Sequence, residues 1–251
     1  MRSGTRSIGA RLSALACALV LCAVLVSLGV WQLERREWKR DLIARVDARI
    51  AAAPAAPPGP AEWPTLSDSE IEYKHVIMTG HFSDGDALVQ AVTARGGGFW
   101  VVAPFVTDAG FTVLVNRGFV PADRRADPRP ADETVVTGLV RISELGGGFL
   151  RSNRPEAGRW YSRDVPAIAE TLGATDVAPS YFVDADARPG APGALPIGGL
   201  TVVSFPNSHL VYALTWFALA AMALFAGGLV FVKGRAAEPD DPARRGRATP
   251  A

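Results

Sequence analysis

Residues 12–33 read LSALACALVLCAVLVSLGVWQL and residues 210–232 read LVYALTWFALAAMALFAGGLVFV. Neither stretch contains Asp, Glu, Lys or Arg. Each is long enough for an α-helix to cross the hydrocarbon core of a bilayer, which takes roughly 20 residues. Both are read as transmembrane helices, and they account for a mean hydropathy of +0.16 in a chain that is 20% charged. The residues between them, 34–209, suffice for one domain with a core of its own. Residues 1–11 and 233–251 are left as tails, and the second, rich in Ala, Arg, Pro and Asp, reads as disordered.

Orientation follows from where the basic residues flank the spans. Lys233, Arg235, Arg244, Arg245 and Arg247 follow the second span, whereas no Lys or Arg lies between Arg188 and its start. The C-terminus is therefore expected in the cytosol, and with two spans the N-terminus joins it. Arg35, Arg36, Lys39 and Arg40 after the first span argue less clearly. Ala14-Leu15-Ala16 imitates a signal-peptidase site but precedes most of the apolar run, so the span reads as an uncleaved anchor. A span starting near residue 12 leaves no room for a transit peptide, which points to a bacterial inner membrane with the middle domain periplasmic.

Cys17 and Cys22 both lie in the first span, so the central domain has no thiol for a disulfide or a metal site. A formal net charge of +1, with no basic run interleaved with aromatics, argues against a nucleic-acid partner. Within the domain, Trp38, Leu42, Val46 and Ile50 recur at helical spacing, giving a stalk helix over 34–52. Pro54, Pro57, Pro58, Pro60 and Pro64 then mark an extended linker over 53–64, ahead of a β-rich globular part over 65–209. Strands are predicted at 73–82, 87–93, 99–106, 111–120, 134–142, 181–184 and 200–205, where β-branched and aromatic residues run between Gly, Pro and Asp. A helix is predicted at 165–172, with Asp164 as N-cap and Gly173 as stop. The expected fold class is an α+β membrane protein, two transmembrane helices flanking a mainly antiparallel-β periplasmic domain with few helices.

Chemistry-bearing motifs are sparse. No phosphate loop, nucleophile elbow or His-Glu-x-x-His occurs, and paired carboxylates such as Asp184 and Asp186 read as turn residues, so no enzyme is expected. His75 and His81 share one strand face but stand about 20 Å apart and read as surface residues. His209 differs, because it opens the second span and Tyr212 and Trp216 follow one and two helical turns later. An imidazole there suits an axial ligand for haem iron, with the macrocycle in lipid and its propionates in water. Equally, His209, Tyr212 and Trp216 read as an interfacial belt, as does Trp31 at the same boundary of the first span. Arg117, on an apolar strand, needs either a ligand carboxylate or an ion pair within the domain. Trp160, Tyr161 and Arg163 read either as a partner surface or as packing at the helix start.

These residues together resemble a family. Gly29-x-Trp31-Gln32, Arg35, Trp38-Lys39, Glu72-Tyr73, Gly80-x-Phe82, Asn116-Arg117-Gly118-Phe119-Val120-Pro121, Trp160-Tyr161-x-Arg163-Asp164, Pro196-Ile197-Gly198-Gly199 and Asn207-x-His209-Leu210-x-Tyr212 occur in order between and around the two spans. In that order they are similar to the Surfeit locus protein 1 family, from Gly29 to Trp216. The resemblance implies a two-span assembly factor for haem-copper cytochrome c oxidase that assists maturation of subunit I. It further implies haem a as a transient cofactor, with His209 as iron ligand and haem a synthase as a second candidate partner. Trp31, Tyr212 and Trp216 would line the macrocycle and Arg117 would neutralise a propionate. The alternative is a scaffold that stabilises subunit I or recruits other factors without touching haem.

Overall fold

The computed structural model describes residues 8–128, 133–148, 150–188, 193–201, 203 and 205–236. They divide into two units, the terminal helices (up to Ile43 and from Phe205) and the domain Ala44–Ser204. Helix α1 spans Ile8–Ala51 without interruption, because residues 34–51 contain neither Pro nor Gly to stop it. Its end is docked on the domain: Val46 is buried, and Arg49 donates to the carbonyl oxygens of Ser69 and Glu72 at 2.7 and 3.2 Å. Both long terminal helices are apolar enough to cross a membrane. The C-terminal one persists to Ala236, past the expected boundary at Val232; the tail after it lies outside the described residues.

Residues 53–64, expected as a linker ahead of the fold, are built into it. Ala55 donates its N–H to His75 O at 3.1 Å and accepts from Ile77 N at 2.9 Å. Pro58 O accepts from Trp63 Nε1 at 3.0 Å and from Tyr181 OH at 2.7 Å. Burial raises the Tyr181 phenol well above its ordinary value, so at neutral pH the hydroxyl keeps the proton it donates. Prolines carry no N–H, and at an edge that costs no ladder bond.

After the four-residue helix α2 (Asp68–Ile71) come β1 (His75–Phe82), β2 (Ala87–Thr93), β3 (Gly96–Thr107), β4 (Thr112–Pro121) and β5 (Thr134–Ile142). A short hairpin of β6 (Gly147–Gly148) and β7 (Arg151–Ser152), helix α3 (Val165–Leu172), β8 (Tyr181–Ala185) and α4 (His209–Ala236) complete the order. The sheet order is β1-β5-β8-β4-β3-β2, and β1 also pairs with β3. The sheet therefore closes on itself through β1, β5, β8, β4 and β3, with β2 outside, which removes most free edges. All pairings are antiparallel except β4 with β8.

One core cluster, including Val76, Phe105, Val113, Val115, Tyr181 and Val183, fills the closed sheet. The alternate residues Val102, Leu114 and Phe182 face a second cluster with Trp160, Val165 and Ile168, where α3 packs. This is why nine consecutive residues of β4 are buried: it has a core on each face. Helix α3 has its expected bounds, with Asp164 accepting from Ala167 N and Gly173 left-handed at φ 66°.

Two expectations need correction. Strand β1 starts at His75 rather than Tyr73, because Tyr73 sits at φ 64°, outside the extended region. The strand expected at 200–205 is absent from its described residues, Leu200, Thr201, Val203 and Phe205. Ile197 pairs with the sheet instead, exchanging 2.9 Å hydrogen bonds with Phe119.

Candidate functional site

Within the helical unit, the two helices meet along small residues. A Cβ added at Gly29 would lie 2.4 Å from the Phe217 ring, and one at Gly227 would lie 2.5 Å from Ala18 Cβ. Ala213 and Ala220, seven residues apart on the same stripe of α4, are buried. Small residues let apolar helices approach closely, the usual solution where hydrophobicity cannot drive association. One turn beyond Gly29, the approach brings two polar side chains together: His209 Nδ1 lies 2.7 Å from Gln32 Oε1. An amide oxygen only accepts, so Nδ1 carries the proton and donates. In the neutral ring Nε2 then keeps its lone pair.

Around this pair, Trp31 is 53% and Tyr212 55% exposed, while Trp216 is half-buried. The rings therefore present apolar surface outward from the helix pair, where either lipid or a flat macrocycle can lie against them. Both readings given above, haem contact and interfacial belt, fit that exposure. Gln32 is the residue that sequence reading left without a role. Its signals were a polar amide at the end of an apolar run and its place in the Gly29-x-Trp31-Gln32 motif.

In the central domain, Asp184 is 5% exposed on β8, not in a turn as expected, and it organises a polar cluster. Oδ1 accepts from Asn116 Nδ2 at 2.7 Å and Arg163 Nη1 at 3.1 Å; Oδ2 accepts from Thr201 Oγ1 at 2.8 Å. Arg163 also pairs with Glu144 and lies over the Phe182 ring. Burial works against the charge of Glu144, but hydrogen bonds and charge from Arg163, with Arg141 behind, hold its carboxyl below the ordinary value. Burial likewise disfavours the Arg163 cation, and the same two carboxylates outweigh it, raising its pKa. Trp160 is 3% exposed inside the outer core cluster. Of the expected partner surface, Trp160 is buried in the packing at the start of α3, while Tyr161 and Arg163 are both half-buried.

Arg117 is buried and lines a cavity of about 190 Å³ with Phe82, Val115, Val136, Asp186 and Arg188. Its Nη2 donates to Asp127 O at 3.2 Å, and its guanidinium carbon lies 5.6 Å from the Phe82 ring centroid. His75 Nε2 meets Asp186 Oδ2 at 2.7 Å, whereas His81 is exposed on the same strand face. Among the described residues no group of three His, Cys, Asp or Glu could hold a metal ion.

The model of the SURF1 family matches residues 19–221, from within α1 through the central domain into α4. The chain belongs to the SURF1 family. Surfeit locus protein 1 of Mus musculus is 36% identical over 225 residues, covering 81% of this chain and 71% of its own. The Homo sapiens protein of that name is 36% identical over 239 residues, 86% of this chain and 77% of its own. That of Gallus gallus is 36% identical over 221 residues, 79% and 69% respectively. The SURF1 match takes in both halves of the polar contact, Gln32 and His209, together with Asn116, Arg163 and Asp184. The structure gives part of the SURF1-like sequence pattern a physical reason: Asn116 Oδ1 accepts from Gly118 N at 3.1 Å. Gly118 itself, at φ 129°, would place a Cβ 2.3 Å from Ile197 O.

Proposed function

We propose that this SURF1-family protein is an assembly factor for haem-copper cytochrome c oxidase that handles haem a on its way to subunit I. It resides in a bacterial inner membrane with both termini cytosolic and the central domain periplasmic; the basic residues after Val232 support this orientation. The carrying observation is the 2.7 Å contact between His209 Nδ1 and Gln32 Oε1, which leaves Nε2 as a lone-pair donor at the start of an apolar helix. Haem a, when bound, supplies the iron and the hydrophobic macrocycle that the oxidase needs. The chain supplies His209 as ligand and Trp31, Tyr212 and Trp216 as ring surface. No bond of the cargo is broken, so the protein has no catalytic turnover. Holding the ligand at the bilayer boundary lets a greasy, redox-active group move without entering water. Haem a synthase on the donor side and subunit I on the acceptor side are the partners this requires.

The test is an optical spectrum of the detergent-purified full chain from cells that make haem a, beside His209→Ala, with circular dichroism checking the fold. Haem a in the wild type and its loss in the variant is the expected result. Equal haem in both would require another ligand, and none in either would leave the scaffold reading.

A further inference from the structure

The contact that ties His209 to α1 does more than join two helices. In water a neutral imidazole exchanges its proton between two nitrogens, so a ligand histidine needs a partner that selects one of them. Gln32 Oε1, 2.7 Å from Nδ1 and part-buried, is such a partner, because it has no proton to give. A turn away, Gly29 has no Cβ to hold Phe217 off, and across the same close helix approach the Gln32 side chain reaches His209. We infer that Gln32 is a positioning residue that fixes the proton of His209 on Nδ1, leaving Nε2 as the iron-binding atom. This rests on the haem-handling reading above. Partners on the second nitrogen of a ligand histidine orient the ring and raise its donor strength, and their loss typically weakens binding about 10- to 100-fold. An acceptor on Nδ1 pushes electron density toward iron and favours the oxidised state. Removing it therefore raises the reduction potential, and a stronger acceptor lowers it.

A purely structural bond between helices would also break in a Gln32 variant, so the readouts must report on the ring and the iron. The experiment uses the full chain in detergent with ¹⁵N-labelled histidine, and His209→Ala assigns the His209 signals. Without haem, wild-type His209 shows the Nδ1–H form, Gln32→Leu loses that preference, and Gln32→Glu retains it. With haem a added, Gln32→Leu binds about 10- to 100-fold more weakly and at a higher potential. Gln32→Glu holds haem and lowers the potential, which keeps the inference testable if the Leu variant fails to fold. A wild-type His209 protonated on Nε2 overturns the inference, as does a Gln32→Leu protein whose haem affinity and potential are unchanged. A wild type that binds no haem a overturns the haem reading and this inference together. That outcome is distinct from failure of the Gln32 role alone, in which wild type and Gln32→Leu bind equally.

Discussion

At the scale of single residues, Asp184 shows how a charge on a strand becomes structural. Four groups converge on its carboxylate, and two of them, Arg163 and Arg141, are cations. Removing one member strands the others in a poorly solvated place, so Arg163→Met should cost about 3–5 kcal/mol, read as a lowered midpoint in chemical denaturation. Glu144 gives the same cluster a pH dependence. Its folded-state pKa lies below its unfolded value, so its contribution is complete above the unfolded value and is lost as pH falls through the depressed one. Stability measured from neutral pH down through the acid range should fall in the wild type and fall less steeply in Glu144→Gln. Gly118→Ala should destabilise strongly, because the new methyl would meet the Ile197 carbonyl and the positive φ penalises any side chain. A loss of soluble, folded protein or a drop in thermal midpoint would show it. Asp164 and Gly173 were legible as caps because their role is local. Asp184 was not, because its partners are distant in sequence and its neighbour Asp186 made the pair look like a turn.

At the scale of elements, six of the seven strands expected from β-branched runs between Gly, Pro and Asp are present, as is the α3 helix. The pairings that the sequence reading missed share one physical cause. Residues 53–64 and Ile197 join the sheet through one or two backbone hydrogen bonds each, which leave no periodicity to read. The β6–β7 hairpin is two residues a side and equally silent. The stalk stripe was legible, and Val46 and Arg49 show where it docks on the domain. The α1–α4 approach was not, since apolar spans carry small residues all round and Gly29 looks like any other glycine. It yields a sharp prediction: Gly29→Leu should collide with the Phe217 ring, separate the helices and break the Gln32–His209 hydrogen bond. The variant should lose copurifying haem a as fully as His209→Ala, while Ala94→Leu, at an exposed position after β2, should keep it.

At the scale of the whole molecule, the α+β class with two apolar terminal helices could be read from hydropathy and strand pattern. The closure of the sheet through β1 and the parallel β4–β8 pair could not, because strand order depends on contacts that no local pattern encodes. The candidate site followed the same division. His209 stood out by its place at the start of an apolar span, whereas its hydrogen bond to Gln32 joins residues 177 positions apart in sequence. Haem delivery and scaffolding make different demands on the oxidase itself. The most direct measurement is the haem a content of subunit I, isolated from cells whose only copy of this chain carries His209→Ala. Delivery through His209 predicts that subunit I accumulates with much less haem a than in the wild type. Subunit I with a full complement of haem a in that strain would contradict it.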